Sequence, residues 1–172
     1  MILGTKNHLT AQETSPTQLG PGVIITTDSD TLNCMLPISF FYGEEIPIQL
    51  KGEHHTLTKE EIIYLSHAEA VFETVEYEYR KKHCKKLLKV VSKGTIDLYV
   101  DIPSTMALGS NVEFLAKKGG VAHFLTHGNY KKSMATLVAD SPQAVEYFIQ
   151  SKYQLSKIID VVEFYNLHNI NY

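Results

Sequence analysis

The chain has 172 residues, 44% of them hydrophobic and 20% charged, with a formal net charge of −3. This is ordinary globular composition, long enough to bury a core, which excludes a disordered polymer. The acidic balance argues against nucleic acid as the main partner, and no apolar run approaches the length of a membrane-spanning helix.

Residues 1–21 carry no periodicity. They read as a disordered leader or the remnant of a signal peptide, since Leu9-Thr10-Ala11-Gln12 followed by Glu13-Thr14-Ser15-Pro16 is similar to the end of one. Gly20-Pro21-Gly22 breaks any regular element. Val23 to Thr27 is a short β run, Asp28-Ser29-Asp30 a turn, and Thr31 to Leu36 alternates with Leu32, Cys34 and Leu36 on one face, completing a hairpin. Beyond Pro37, Ile38, Phe40 and Tyr42 alternate. Ile46, Ile48 and Leu50 do the same around Pro47, which confines that strand to an edge or proline to its first residues. Gly52 turns the chain toward His55 and Leu57, and Thr58-Lys59-Glu60-Glu61 has the form of a capping box. The β-rich Ile62-Ile63-Tyr64-Leu65 that follows predicts one helical turn leading into a strand.

Val71 to Tyr79 alternates with one face buried, and Arg80 to Lys86 reads as a basic hairpin tip. Leu87-Leu88-Lys89-Val90-Val91 is apolar on both sides, the mark of a strand interior to a sheet. Ser92-Lys93-Gly94 joins it to Ile96, Leu98 and Val100 as a hairpin. Val112, Phe114 and Ala116 lead through Lys117-Lys118-Gly119-Gly120 to Val121, His123 and Leu125, again a hairpin. At Gly128 the apolar period changes from two to about 3.6. Tyr130, Met134, Leu137 and Val138 form one helix stripe; Ser141 caps a second helix with Pro142 at its first position; Ser156 caps a third, with Ile158, Ile159, Val162 and Tyr165 inward. Strands first and helices last predict an α+β fold: an antiparallel, strongly bent sheet or partly open β barrel followed by about three helices. We expect one domain over 22–172, with its β part at 22–127 and its helical part at 128–168.

The order of these pieces resembles a family of uncharacterised exported proteins common in Bacteroidota. The likeness rests on the strand-turn-strand from Gly22 to Leu32, Leu57-Thr58-Lys59-Glu60-Glu61-Ile62, the strand pair from Leu87 to Tyr99, Ser141-Pro142 and the ending Val162-Glu163-Phe164-Tyr165-Asn166. Asn33 stands where that family usually has glycine. The resemblance implies a fold and a periplasmic or cell-envelope location, with a cytoplasmic one as the alternative, and it brings no activity, cofactor or catalytic residue.

Candidate chemistry is sparse. His123 and His127 would share a helix face as zinc ligands do, but on a strand they lie about 13 Å apart. His54 and His55, beside Glu53, point to opposite faces of a strand, so at most one serves a given metal or ligand. These four histidines are the weak candidates for ligand or ion contact. The basic run, preceded by Glu73, Glu76 and Glu78, reads as a charged tip that discourages edge pairing. The set Phe40, Phe41, Tyr42, Tyr77 and Tyr79 reads as core ahead of a ligand groove. Leu108-Gly109-Ser110-Asn111 lacks the second glycine of a nucleophile elbow, and no phosphate loop, dinucleotide fingerprint or paired zinc-ligand cysteines occur. Cys34 and Cys84 would stay reduced in a cytosolic protein and could bridge in an exported one. The leading reading is a non-catalytic envelope protein that binds a protein or a small ligand through its sheet, without a cofactor. The alternatives are a hydrolase-type enzyme with dispersed His and carboxylate groups, and a cytosolic structural subunit. Several polar groups converging in a pocket would point to the enzyme, and a flat apolar patch to the binder.

Overall fold

The structure, a computed structural model, describes residues 18–37, 43–79, 81–101 and 113–169. The leader read over residues 1–17, the strand read over 38–42, Arg80, and the stretch 102–112 with its Gly109-Ser110 pair lie outside the described residues. Ten strands come first: β1 (Leu19–Thr26), β2 (Thr31–Pro37), β3 (Glu45–Leu50), β4 (Glu53–Thr58), β5 (Ile62–His67), β6 (Ala70–Tyr79), β7 (Lys82–Ser92), β8 (Ile96–Asp101), β9 (Glu113–Lys118) and β10 (Val121–Leu125). Three helices follow: α1 (Tyr130–Leu137), α2 (Pro142–Gln150) and α3 (Ile158–His168). The strands form one antiparallel sheet, open at both ends, in the order β4-β3-β2-β1-β5-β6-β7-β8-β9-β10. The fold is α+β, as the change of period at Gly128 predicts.

Every strand lies beside its chain neighbour except at one place, where β5 pairs with β1 instead of β4. A flat sheet would hold β4 and β5 four spacings, or about 19 Å, apart. Only the 3-10 turn Lys59–Glu61 joins them, and three residues so wound advance about 6 Å. The strands from β4 to β5 must therefore curl around on themselves. The capping box tightens the join: the Glu61 carboxylate accepts from both the backbone N–H and the hydroxyl of Thr58, each at 2.7 Å. Inside this curl lie Ile24, Leu36, Ile46, Ile48, Ile62 and Leu65.

The other half curls toward the opposite face. Phe124 of β10 meets Tyr77 and Tyr79 of β6, with ring centroids 6.0 and 4.8 Å apart, across three intervening strands. Leu88, Tyr99 and Leu115 fill this second concavity. Its convex back is covered by the helices, which bury Met134, Leu137, Phe148, Val162 and Tyr165 against Leu98, Phe114 and Leu125.

Two polar contacts fix the helices to the sheet. Asn166 of α3 presents its side-chain amide to β8 as another strand would, accepting from Ile96 N–H at 2.9 Å and donating to Ile96 O at 2.8 Å. Lys118, next to the β9–β10 turn, donates to Leu137 O at the end of α1 and to Asp140 Oδ1, while the Tyr165 hydroxyl donates to the same carboxylate. These bonds hold the Asp140 carboxyl below its usual range and the Lys118 ammonium above its own, against the burial that opposes it.

Several expectations change in detail. Gly20-Pro21-Gly22 belongs to β1 instead of a tail. A Cβ at Gly20 would stand 2.7 Å from His67 Cε1, and one at Gly22 only 2.4 Å from Leu36 Cδ1, so glycine here makes room for the neighbouring strands' side chains. The run read as a basic tip is mostly strand. Lys82, Lys85 and Lys86 lie in β7, with Lys85 opposite Glu76. Pro47 is the third residue of β3, which is next to the edge and not on it; β4 is the edge strand. Ser156 lies inside a 3-10 turn, Lys157 caps α3, and Val161 takes the fully buried place expected for Ile159. Cys34 and Cys84 are free thiols that pack in different clusters.

Gly22→Ala is expected to cost about 1–3 kcal/mol, because Leu36 and the Ser66 carbonyl must move, and urea unfolding should show a lower midpoint at unchanged slope. The Asp140 ion pair gives a second expectation. A carboxyl held low in the folded state stabilises above its unfolded pKa, about 3.9, and that contribution is lost as pH falls through the folded value. Asp140→Asn should therefore flatten the stability curve below about pH 4, by a modest amount since the Asp140 side chain is 60% exposed.

Candidate functional site

The curl decides what the two convex faces carry. The helices cover one. On the other, the outward side of β3, β2, β1 and β5, no described element packs, and a cleft of about 560 Å³ opens there. That size falls within the range of small-molecule sites.

Alternation and register build its lining. In β1, Gly22 and Ile24 face the core, which turns Pro21 and Val23 outward. In β2, Cys34 and Leu36 face the core, which turns Asn33 and Met35 outward. Met35 lies opposite Gln49 of β3, the one rung described between β2 and β3, and Ser66 of β5 lies opposite Val23. The cleft forms at this end of the strands, where the β3–β4 turn at Lys51-Gly52 rises on one side and the β5–β6 turn at Ala68 on the other. Lys51 is held at the rim with φ 52°, a left-handed conformation uncommon outside glycine.

Met35 is 37% exposed, unusual for a methionine in a sheet interior, and supplies a deformable apolar surface beside Val23. Around it stand the Asn33 amide, the Gln49 amide and the Ser66 hydroxyl. Gln49 Nε2 reaches Gly52 O at 3.4 Å, whereas Asn33, Ser66 and Lys51 make no side-chain hydrogen bond or ion pair among the described residues. No carboxylate stands among the described residues that line the cleft.

His67 and Cys34 border the cleft, but their side chains turn to the core side of their strands. His67 is 5% exposed and its Nδ1 lies 3.0 Å from Pro21 O; a carbonyl only accepts, so Nδ1 carries the proton. Burial pushes the Cys34 thiol up, which disfavours the thiolate a nucleophile needs.

A second polar cluster lies between β6, β8 and the loop that joins β7 to β8. Lys93 Nζ donates to Glu73 at 2.7 Å, to Tyr99 OH at 2.9 Å and to Asp97 at 3.3 Å, and Tyr99 OH also lies within 3.4 Å of both carboxylates. Burial opposes the Lys93 charge, but these partners outweigh it and hold its pKa well above the ordinary lysine value. Burial likewise raises that of Tyr99. Each acceptor is already matched to a donor, as in a structural network.

The histidines singled out in the sequence are not brought together. His54 and His55 are exposed on β4, with His55 Nε2 3.8 Å from Glu53 Oε2; His123 is half-buried on β10 and His127 exposed beyond it. β4 and β10 are the two end strands of the sheet, and no group of three His, Cys, Asp or Glu side chains among the described residues could hold a metal ion. Tyr77 and Tyr79 pack with Phe124, as core.

Asn33, Met35 and Gln49 escaped the sequence reading, which followed the inward side of each strand. The available signal was an apolar residue, Met35, on the side that alternation assigns to solvent.

Comparison with protein-family models, with curated proteins and with solved structures finds no match to this chain. The likeness to exported Bacteroidota proteins therefore rests on the quoted motifs alone.

Lys93→Met is expected to lower stability at pH 7, since it leaves Glu73 and Asp97 facing each other around Tyr99. A lysine whose folded pKa is raised stabilises fully below about pH 10 and loses that contribution as pH rises through the folded value. Urea midpoints measured from pH 8 to 12 should thus fall for the parent chain more steeply than for Lys93→Met.

Proposed function

We propose that this is a non-catalytic binding protein that holds a small ligand in the cleft on the outward face of β3-β2-β1-β5. One observation carries the reading: an exposed methionine sits among amide and hydroxyl groups, of which Asn33 and Ser66 have no side-chain partner among the described residues, in a concavity of ligand size.

Polar groups do converge there, the feature that would favour an enzyme, so their type decides. Two carboxamides, a hydroxyl and an ammonium orient a ligand, but none is a general base poised near neutral pH. Among the described residues the Ser66 hydroxyl has no hydrogen-bonded base, and the His67 imidazole and the Cys34 thiol lie buried on the core side of their strands, turned away from the face that carries Ser66. A hydrolase would need at least one of these arranged otherwise.

Location in the cell envelope belongs to this reading through the family resemblance over residues 22–166.

The reading is tested by screening a library of small fragments by NMR on the intact chain. The expected hits perturb the side-chain amides of Asn33 and Gln49 and the Met35 methyl together, and Met35→Glu removes them without altering the fold. Hits that cluster elsewhere, or a screen without hits at these three groups, would overturn it.

A further inference from the structure

We infer that the ligand of this cleft is an organic anion, an apolar body bearing a carboxylate or a similar acidic group. This rests on the cleft being a ligand site. The apolar floor from Val23 and Met35 suits a hydrocarbon or ring. What the rim adds is a charge of one sign.

Lys51 is the only charged side chain among the twelve lining residues that is not a histidine, and no Asp or Glu stands among them. Three other lysines are answered at once: Lys86 by Asp101 at 2.6 Å, Lys93 by Glu73 and Lys118 by Asp140 at 2.7 Å each. Lys82, Lys85, Lys89 and Lys117 make no ion pair among the described residues, but none of them lines the cleft. Lys51 has no such partner among the described residues. Its nearest acidic neighbour in sequence, Glu53, lies opposite Leu50, whose side of β3 faces the core, so that carboxylate belongs to the other face of the sheet. The Asn33 and Gln49 amides, on the same face as Lys51, offer N–H donors to a second oxygen. A carboxylate seated at the Lys51 end would thus meet one cation and neutral donors, with no Asp or Glu among the described lining residues.

The left-handed turn that fixes Lys51 strengthens the case. Lys51 at φ 52° and Gly52 at φ 91° make the tight two-residue turn of the β3–β4 hairpin, which places Lys51 at the end of the strands where the cleft opens.

The test compares 4-phenylbutyrate with 4-phenylbutanamide, two probes of one shape that differ in charge, by NMR titration of the full chain at the Asn33 and Gln49 amides. An exposed ion pair predicts that the acid binds about two- to fivefold more tightly than the amide at low salt. That advantage should shrink at high ionic strength and vanish in Lys51→Gln. Equal affinities in the parent, or an advantage that survives Lys51→Gln, would overturn the anion assignment and leave the cleft a ligand site. If neither probe moves these resonances while other fragments do, the anion class is wrong; if no compound does, the site itself is wrong. Shifts that depend on protein concentration without any probe would show a second copy of the chain as occupant, and overturn the inference too.

Discussion

The second half of β7, Leu87 to Val91, presents apolar side chains to both faces of the sheet, and the remainder of the molecule is arranged around that fact. Leu87 packs against the core inside the first curl, Leu88 fills the second, and Val91 joins the layer beneath the helices. A strand of this kind cannot lie at an edge or on a surface without exposing one row. The register shifts between Val90 and Ser92, so that Val91 is an extra residue in the ladder with β8. A bulge there increases local twist, at the strand where the sheet passes from one sense of curl to the other.

The two curls explain why the protein has a cleft on one convex face and helices on the other. Bending a sheet away from a face opens the rows of side chains there. Over β8 to β10 the helices fill that opening, held by the Asn166 amide and the Lys118 ammonium. Over β3 to β5 no described element does, and Met35, Asn33 and Gln49 are left to solvent. The same geometric strain is met by packing in one half and by a cleft in the other.

Much of this was legible in the residues. Strict alternation marked nearly every strand, Ser141-Pro142 marked α2, and Gly119-Gly120 marked a turn whose φ values are 55° and 82°. Where reading failed, a long-range contact overrode a local rule. Gly20 and Gly22 look like chain breakers until His67 and Leu36 are placed against them. Lys82 to Lys86 look like a tip until Glu76 and Glu78 are laid opposite. The cleft was harder still, because its lining comes from four strands whose adjacency depends on β5 returning to β1, and no local pattern encodes that return.

The return itself is entropically cheap. Gly22 and His67 are 45 residues apart in sequence, against 22 for Ile96 and Lys118, the widest rung between strands adjacent in the chain. Loop-closure entropy grows only logarithmically, so doubling the span costs about 0.6 kcal/mol. A single out-of-order pairing, no dearer than one weak hydrogen bond, converts a plain meander into a curled sheet with a cleft on its outer face.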